Sequence, residues 1–242
     1  MAVKPVTHRG ETLRIAYDIL HPEAKKDLVI LHGWGSDKEL MKQAFGGAFT
    51  DWRHIYVDLP GFGKSENPLV LESADYAEIV AKLLESLGAH ADVAVGHSFG
   101  GKVATLLDPQ RLVLLSSAGI VLPKPLSVRA KIALFKLLKP FGGGRLWHFF
   151  ASADAAKMPQ NMYETFKKVV DEDFSSKFAA YDKPALLCWG SRDTATPPEA
   201  GRRIAELMPD ARLKFFDGDH YFFLQRPAET IATMKEFFDE TV

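Results

Sequence analysis

The sequence lacks the features of a disulfide-bonded or strongly charged protein. Its 242 residues include a single cysteine, Cys188, so an internal disulfide is excluded. Because this cysteine lies in the apolar run 185–190, we expect a buried thiol in a protein of a reducing compartment. The net charge is −1, from 30 basic and 31 acidic residues, so no global field would attract polyanions. We therefore expect no nucleic-acid partner.

Long apolar runs and metal-binding motifs are missing as well. No stretch approaches the roughly 20 apolar residues that a transmembrane helix needs, and the first 20 residues contain no apolar region of the signal-peptide kind. There is no His-Glu-x-x-His motif and no Cys/His cluster, so no metal site is expected. These absences predict a cytoplasmic protein without a transmembrane segment.

The sequence does contain a regular alternation of strand-like and helix-like segments. Apolar, β-branched runs ending in Gly or a small polar residue lie at 27–33, 54–61, 91–98, 111–119, 184–191 and 211–218. Helical periodicity fills most of the intervals, as at 75–87, before Gly88, and at 199–207. Such an alternation predicts an α/β fold with a mainly parallel sheet covered on both faces. The alternating segment 11–20 is predicted to add an edge strand.

The alternation stops between 122 and 181, where no strand-like run occurs. This stretch reads as about three short helices, and its ten basic and five acidic residues give a charge of +5, against −6 for the remainder. We predict a core formed by 1–121 and 182–242, with 122–181 inserted as a helical cap. Within the cap we expect an amphipathic lid helix at 127–141, with a candidate hinge at 141–144 and candidate pocket aromatics at 147–150.

The segment 94–107 contains the motif Gly96-His97-Ser98-Phe99-Gly100. A G-x-S-x-G sequence between an apolar strand and a helix is typical of a sharp, strained turn that exposes a nucleophilic serine. The two glycines are needed because a Cβ at either position would collide with the neighbouring backbone. Ser98 is therefore the predicted nucleophile.

A serine hydroxyl needs a histidine base, and the histidine needs an acid that fixes its tautomer. His220 follows the last predicted strand, and Asp193 lies in the loop after the preceding strand. Both would therefore reach the carboxyl edge of the sheet, where Ser98 lies. His97 adjoins the serine, but its side chain should point away from the hydroxyl. We predict Ser98, Asp193 and His220 as a catalytic triad.

Acyl transfer also requires N–H donors for the oxyanion that forms during attack. One predicted donor is the backbone N–H of Phe99, directly after the nucleophile. The other is the backbone N–H of Trp34, in the loop 31–37 that follows an earlier strand. His32, in the same loop, is predicted to shape its turn. Trp34 and Phe99 thus form the predicted oxyanion hole.

Five motifs occur in order along the chain: HGWG, DLPGFGKS, GHSFGG, WGSRDTATP and GDHYFFLQRP. Together they resemble the α/β-hydrolase family, close to its small carboxylesterases and its meta-cleavage-product hydrolases. The resemblance covers essentially the whole chain. It implies an eight-stranded sheet flanked by helices, a cap over the active site and no cofactor.

These features predict a serine hydrolase that cleaves a carboxylic ester or thioester of a small to medium acyl substrate through an acyl-serine intermediate. Two alternatives remain: hydrolysis of a carbon–carbon bond in dienoate products of ring cleavage, and ligand binding without catalysis on the same scaffold. The carbon–carbon hydrolases typically carry asparagine before the nucleophile and tryptophan after the histidine, where this chain has His97 and Tyr221. Ester hydrolysis is therefore favoured. We expect a monomer or homodimer that acts on a small molecule.

Overall fold

A computed structural model describes residues 1–122 and 158–239. Its strands are β1 (Ala2–His8), β2 (Glu11–Leu20), β3 (Lys26–Leu31), β4 (Trp52–Val57), β5 (Val93–His97), β6 (Arg111–Leu115), β7 (Ala185–Gly190) and β8 (Ala211–Phe216). Its helices are α1 (Lys38–Phe45), α2 (Ser73–Ser86), α3 (Phe99–Leu106), α4 (Gln160–Val169), α5 (Ser175–Ala180), α6 (Pro198–Leu207), α7 (Phe222–Gln225) and α8 (Pro227–Asp239). The lid helix, hinge and aromatic residues predicted between 127 and 150 lie outside the described residues.

All eight strands form one sheet in the order β1-β2-β4-β3-β5-β6-β7-β8. The strands from β3 to β8 pair in parallel, whereas β1 and β2 pair antiparallel at one end of the sheet. The predicted mainly parallel, eight-stranded sheet is confirmed. Because parallel strands present their carboxyl ends at one edge, the segments after β3, β5, β7 and β8 meet there.

The N-terminal hairpin departs from the prediction. The segment 11–20 was expected to be an edge strand, but it forms β2, which pairs with β4 on one side and with β1 on the other. The edge strand is β1, which no sequence pattern predicted because most of its side chains are exposed. Its Pro5 fits this location, since a proline cannot donate a ladder hydrogen bond and is tolerated at sheet edges.

The core consists of two apolar clusters, one on each face of the sheet. Successive residues of β3 alternate between them: Val29 belongs to one cluster, and Leu28 and Ile30 belong to the other. Cys188 is buried in the second cluster, as predicted, and burial raises the pKa of its thiol to about 12. Within the described ranges, no helix is long and apolar enough to cross a membrane.

The helices α4 and α5 fall within the stretch predicted as a cap. Phe174, just before α5, and Phe178, within it, are buried in the same cluster as Leu112 of β6. Val169, at the end of α4, also belongs to this cluster. The described part of 122–181 therefore packs directly on the core, next to the carboxyl edge of the sheet.

Candidate active site

Ser98 lies in the turn between β5 and α3. Its φ of 51° and ψ of −115° are strained for a residue with a side chain. The surrounding backbone enforces this turn, because a Cβ on Gly96 would overlap the Gly100 carbonyl, and one on Gly100 would lie 2.5 Å from the carbonyl oxygen of His32. The two glycines of the motif are therefore required by close backbone contacts, for the reason that the motif suggested.

The loop that follows β3 lies directly against this turn. A Cβ on Gly33 would lie 3.1 Å from Cβ of Ser98. Trp34 is the next residue, and its ring contacts the ring of Phe99 with centroids 5.5 Å apart. Phe99 is the first residue of α3, where backbone N–H groups have no partner within the helix. Both predicted oxyanion donors thus belong to segments beside Ser98, and their role remains a prediction.

His32 fixes the loop that contains Trp34. Its Nδ1 donates to the Gly33 carbonyl at 2.7 Å, and its Nε2 accepts from the N–H of Leu59 at 2.9 Å. Burial lowers the pKa of His32, so the ring is neutral, as one donating and one accepting nitrogen require. These bonds support the turn-shaping role that the sequence suggested for His32.

Asp193 and His220 form a hydrogen-bonded pair beyond the ends of β7 and β8. His220 Nδ1 donates to Asp193 Oδ2 at 2.8 Å, and the carboxylate is buried. Burial raises the pKa of Asp193, but hydrogen bonds from His220 and Thr196 outweigh it, so the pKa lies below the ordinary 3.8. Asp193 is therefore ionised at neutral pH. It holds the proton of His220 on Nδ1, which leaves Nε2 available as a base.

Thr196 is a member of this site that sequence reasoning missed. Its hydroxyl donates to Asp193 Oδ2 at 2.9 Å, and its N–H donates to Asp193 Oδ1 at the same distance. The N–H of Ala195 also donates to Oδ1, at 2.8 Å. A threonine three residues after an aspartate in a loop is a recognisable turn pattern, so the spacing could have revealed this role.

His97 connects the serine turn to the Asp193–His220 pair. Its Nε2 donates to the backbone carbonyl of His220 at 3.0 Å, and the two imidazole centroids are 4.6 Å apart. Burial, together with the neighbouring His220, lowers the pKa of His97 to about 3, so the ring is neutral. No local pattern of residues indicated that His97 would contact His220.

The structure therefore brings two of the three predicted triad members into direct contact and places the third beside them. Asp193 and His220 are hydrogen-bonded, and Ser98 directly follows the histidine that contacts His220. Within residues 1–122 and 158–239, the hydroxyl of Ser98 forms no hydrogen bond.

A cavity of about 550 Å³ opens at Ser98. Its described walls are mainly apolar and include Trp34, Phe99, Ile120, Leu122, Phe166 and Val169. A concave apolar site with few polar groups suits the hydrocarbon part of a small ligand. The arrangement thus combines a strained serine, a histidine–carboxylate pair and an apolar cavity.

One group of three side chains within the described ranges has the spacing of metal ligands. It consists of His8, Asp75 and Glu78, on β1, at the start of α2 and one turn further along α2. Asp75 already accepts from Arg9 at 2.6 Å and contacts His8 at 3.0 Å. None of the three lines the cavity at Ser98.

Comparison with known proteins identifies the class. A model of the alpha/beta hydrolase family matches residues 28–233, so the chain belongs to that family. It is similar to the pimeloyl-[acyl-carrier protein] methyl ester esterase of Photobacterium profundum, with 24% identity over 87% of this chain and 94% of the relative. A 2-succinyl-6-hydroxy-2,4-cyclohexadiene-1-carboxylate synthase of Escherichia coli O157:H7 is 39% identical over 100 residues, 39% of each chain.

Solved structures agree on the fold. A thermophilic esterase from Thermogutta terrifontis superposes with a TM-score of 0.74 over 99% of both chains, at 18% sequence identity. The family resemblance and the α/β-hydrolase fold predicted from the motifs are both confirmed.

Proposed function

We propose that this protein is a serine hydrolase that cleaves a carboxylic ester or thioester of a small to medium acyl substrate. The observation that carries the proposal is the 2.8 Å hydrogen bond from His220 Nδ1 to the buried Asp193 carboxylate, beside the strained turn of Ser98. Relatives and structural neighbours named as esterases support it.

In the first half of the reaction, Ser98 attacks the carbonyl carbon while His220 Nε2 takes the proton of its hydroxyl. Asp193 remains ionised and stabilises the imidazolium. The backbone N–H groups of Phe99 and Trp34 donate to the oxyanion of the tetrahedral intermediate. When this intermediate collapses, the alcohol or thiol leaves with the proton from His220, and the acyl group stays on Ser98.

In the second half, His220 takes a proton from water, and the resulting hydroxide attacks the acyl-serine carbonyl. The acid leaves, and Ser98 regains its proton from His220. The apolar walls of the cavity hold the hydrocarbon part of the acyl group in both halves. We also propose that 122–181 acts as the cap of a core formed by 1–121 and 182–242. Phe166 of α4 supports this, because it supplies part of the cavity wall.

The test is labelling with a fluorophosphonate, which reacts with activated serines, followed by mass spectrometry of the adduct. We expect an adduct on Ser98 in the parent and none in Ser98→Ala. Ser117→Ala is the matched control, because Ser117 also lines the cavity but its hydroxyl donates to the Ala118 carbonyl. The control should be labelled like the parent.

The opposite results have clear meanings. If the folded parent takes no label, the proposed serine-hydrolase function is contradicted and ligand binding without catalysis is favoured. If the parent is labelled and cleaves ring-cleavage dienoates but no p-nitrophenyl ester, its activity is carbon–carbon bond hydrolysis and not ester hydrolysis. A labelled parent that cleaves esters of short and medium chains is the expected result.

A further inference from the structure

Lys102 is a buried cation that the proposed mechanism does not use. Its side chain is 1% exposed. The residue belongs to α3, the helix that begins directly after Ser98. A buried charge is costly unless it is paired and hydrogen-bonded. Burial lowers the pKa of Lys102 to about 8, against the opposing effect of Glu172, so the ammonium is mainly protonated at neutral pH. Such a group needs a structural or functional reason.

The ammonium group binds the end of α4 and the turn that follows. Lys102 Nζ donates to the carbonyl oxygens of Val169 at 2.7 Å and Glu172 at 2.9 Å, and lies 3.8 Å from the Glu172 carboxylate. It also lies over the ring of Phe174, 4.9 Å from its centroid. The last carbonyls of a helix have no partner within the helix and attract cations. Lys102 therefore caps α4 from a different helix.

The basic residues of α4 itself do not perform this task. Lys167 and Lys168, in the last turn of α4, pair with Glu164 and Glu72 near the surface. Across the two described ranges, Lys102 is the cation that contacts the carbonyls of Val169 and of the following turn.

The capped segment forms one wall of the cavity. Val169, Val170 and Glu172 line it, and so does Ser98, which lies in the turn between β5 and α3. Lys102 is the fourth residue of α3, and Ser98 lies in the turn directly before that helix begins. The helix that directly follows the proposed nucleophile thus carries the group that holds this wall. A second bond, from Ser73 to the Glu172 carboxylate, ties the same turn to α2.

We propose that Lys102 is a positioning residue that holds the end of α4 at a set distance from Ser98 and thereby determines how well longer acyl chains bind. The proposal rests on the proposed ester hydrolysis. In this proposal, an acetyl group occupies the part of the cavity at Ser98, and only a longer acyl chain extends to the wall that contains Val169 and Val170. A longer chain contacts this wall, so its affinity depends on where the wall is held.

The test compares p-nitrophenyl acetate with p-nitrophenyl octanoate in the parent and in Lys102→Met, which keeps the chain length but removes the donors. We expect the KM for octanoate to rise about tenfold, as for the loss of one charge-assisted hydrogen bond. The KM for acetate, and kcat for both esters, should stay within about twofold because the groups that perform the chemistry are untouched.

Lys183→Met is the matched control. Lys183 Nζ also donates to a backbone carbonyl, that of Asp108 at 2.9 Å, but neither residue lines the cavity. This variant should leave both KM values unchanged. An equal change for both esters in Lys102→Met, or no change for either, would overturn the proposal. Lys102→Gln retains a neutral N–H donor, and we expect an intermediate KM for octanoate if Lys102→Met does not fold.

Hydrogen–deuterium exchange tests the anchor without turnover. In Lys102→Met, amides of residues 166–174 should exchange faster than in the parent and in Lys183→Met. The reason is that the bonds from Lys102 to the Val169 and Glu172 carbonyls are lost, so the end of α4 opens more readily. Unchanged exchange there would refute the anchoring role even in a protein that hydrolyses esters. If the parent hydrolyses no ester, the proposed function fails and the acyl-chain part of the inference fails with it, whereas faster exchange would still establish the anchor.

Discussion

The two halves of the candidate site are held in place by different forces. The turn at Ser98 is fixed by close backbone contacts, in which Gly96 and Gly100 leave no room for a Cβ. The Asp193–His220 pair is fixed by hydrogen bonds between side chains and from loop N–H groups. The turn at Ser98 requires residues without a Cβ at positions 96 and 100, whereas the Asp193–His220 pair requires hydrogen-bond donors, acceptors and charge.

This difference predicts different consequences of substitution. A clash between backbone atoms cannot be relieved by rotating a side chain, so substitutions at the serine turn should reduce the free energy of unfolding. Loss of a hydrogen bond leaves the packing nearly intact but changes orientation and charge, so substitutions around Asp193 should mainly reduce catalysis.

The largest effect is expected from Asp193→Asn. Asparagine cannot stabilise the imidazolium of His220 and favours the wrong tautomer, so kcat for a p-nitrophenyl ester should fall by about 10³ to 10⁴. Asp217→Asn is the control, because Asp217 pairs with Arg192 and Arg226 instead of His220. A loss of less than tenfold in Asp193→Asn would show that Asp193 is not the acid.

The next effect is expected from Gly100→Ala, on stability. The added Cβ would lie 2.5 Å from the His32 carbonyl oxygen, and we expect the free energy of unfolding to fall by about 2 to 3 kcal/mol. Urea denaturation measures this. Gly47→Ala is the control, because a Cβ at that position would meet no atom within 4 Å. Equal free energies of unfolding for the two variants would show that the close backbone contact at Gly100 does not constrain the serine turn.

The two halves should also respond to pH in different ranges. The pKa of His97 falls from 6.5 to about 3 on folding, so between these values the unfolded chain binds more protons and stability rises with pH. Its contribution is therefore lost as pH falls below 6.5. The pKa of Asp193 lies below 3.8 in the folded protein, so its contribution is complete above pH 3.8 and is lost only at lower pH.

This prediction is measured by urea denaturation between pH 3 and pH 7. His97→Gln, which keeps an N–H donor but does not titrate, should reduce the slope of stability against pH by up to about 1.4 kcal/mol per pH unit between pH 6.5 and 4. Asp217→Asn is the control, because Asp217 pairs with Arg192 and Arg226 and not with a histidine, and it should leave the slope in that range nearly unchanged. An unchanged slope in His97→Gln would contradict the lowered pKa of His97.

The smallest effect is expected from Thr196→Val. This change removes the hydroxyl that donates to Asp193 Oδ2, and we expect kcat/KM to fall about three- to tenfold, the equivalent of one hydrogen bond. Thr194→Val is the control, because Thr194 also lines the cavity but is exposed. Similar activities of the two variants would show that Asp193 is held well enough by His220 and the loop amides.

Much of the fold could be predicted because its pattern is local. Each of the six apolar runs predicted as strands overlaps a strand of the parallel part of the sheet, and the starts agree within two residues. The ends of α2 and α6 also lie within two residues of the predicted helices. The hairpin of β1 and β2 could not be placed, because β1 is mostly exposed and its pairing partner is chosen by the sheet as a whole. Strand order is likewise invisible to local patterns.

The sequence by itself determined which segments become strands and helices, and which short motifs place Ser98, Asp193 and His220 at strand ends. These features depend on neighbours within a few residues. Only the tertiary structure decided that His97 holds the His220 carbonyl, 123 residues away, and that Lys102 caps a helix 67 residues further along the chain. Such contacts arise from how the sheet is ordered and how the connections cross it, and no local pattern of residues encodes that geometry.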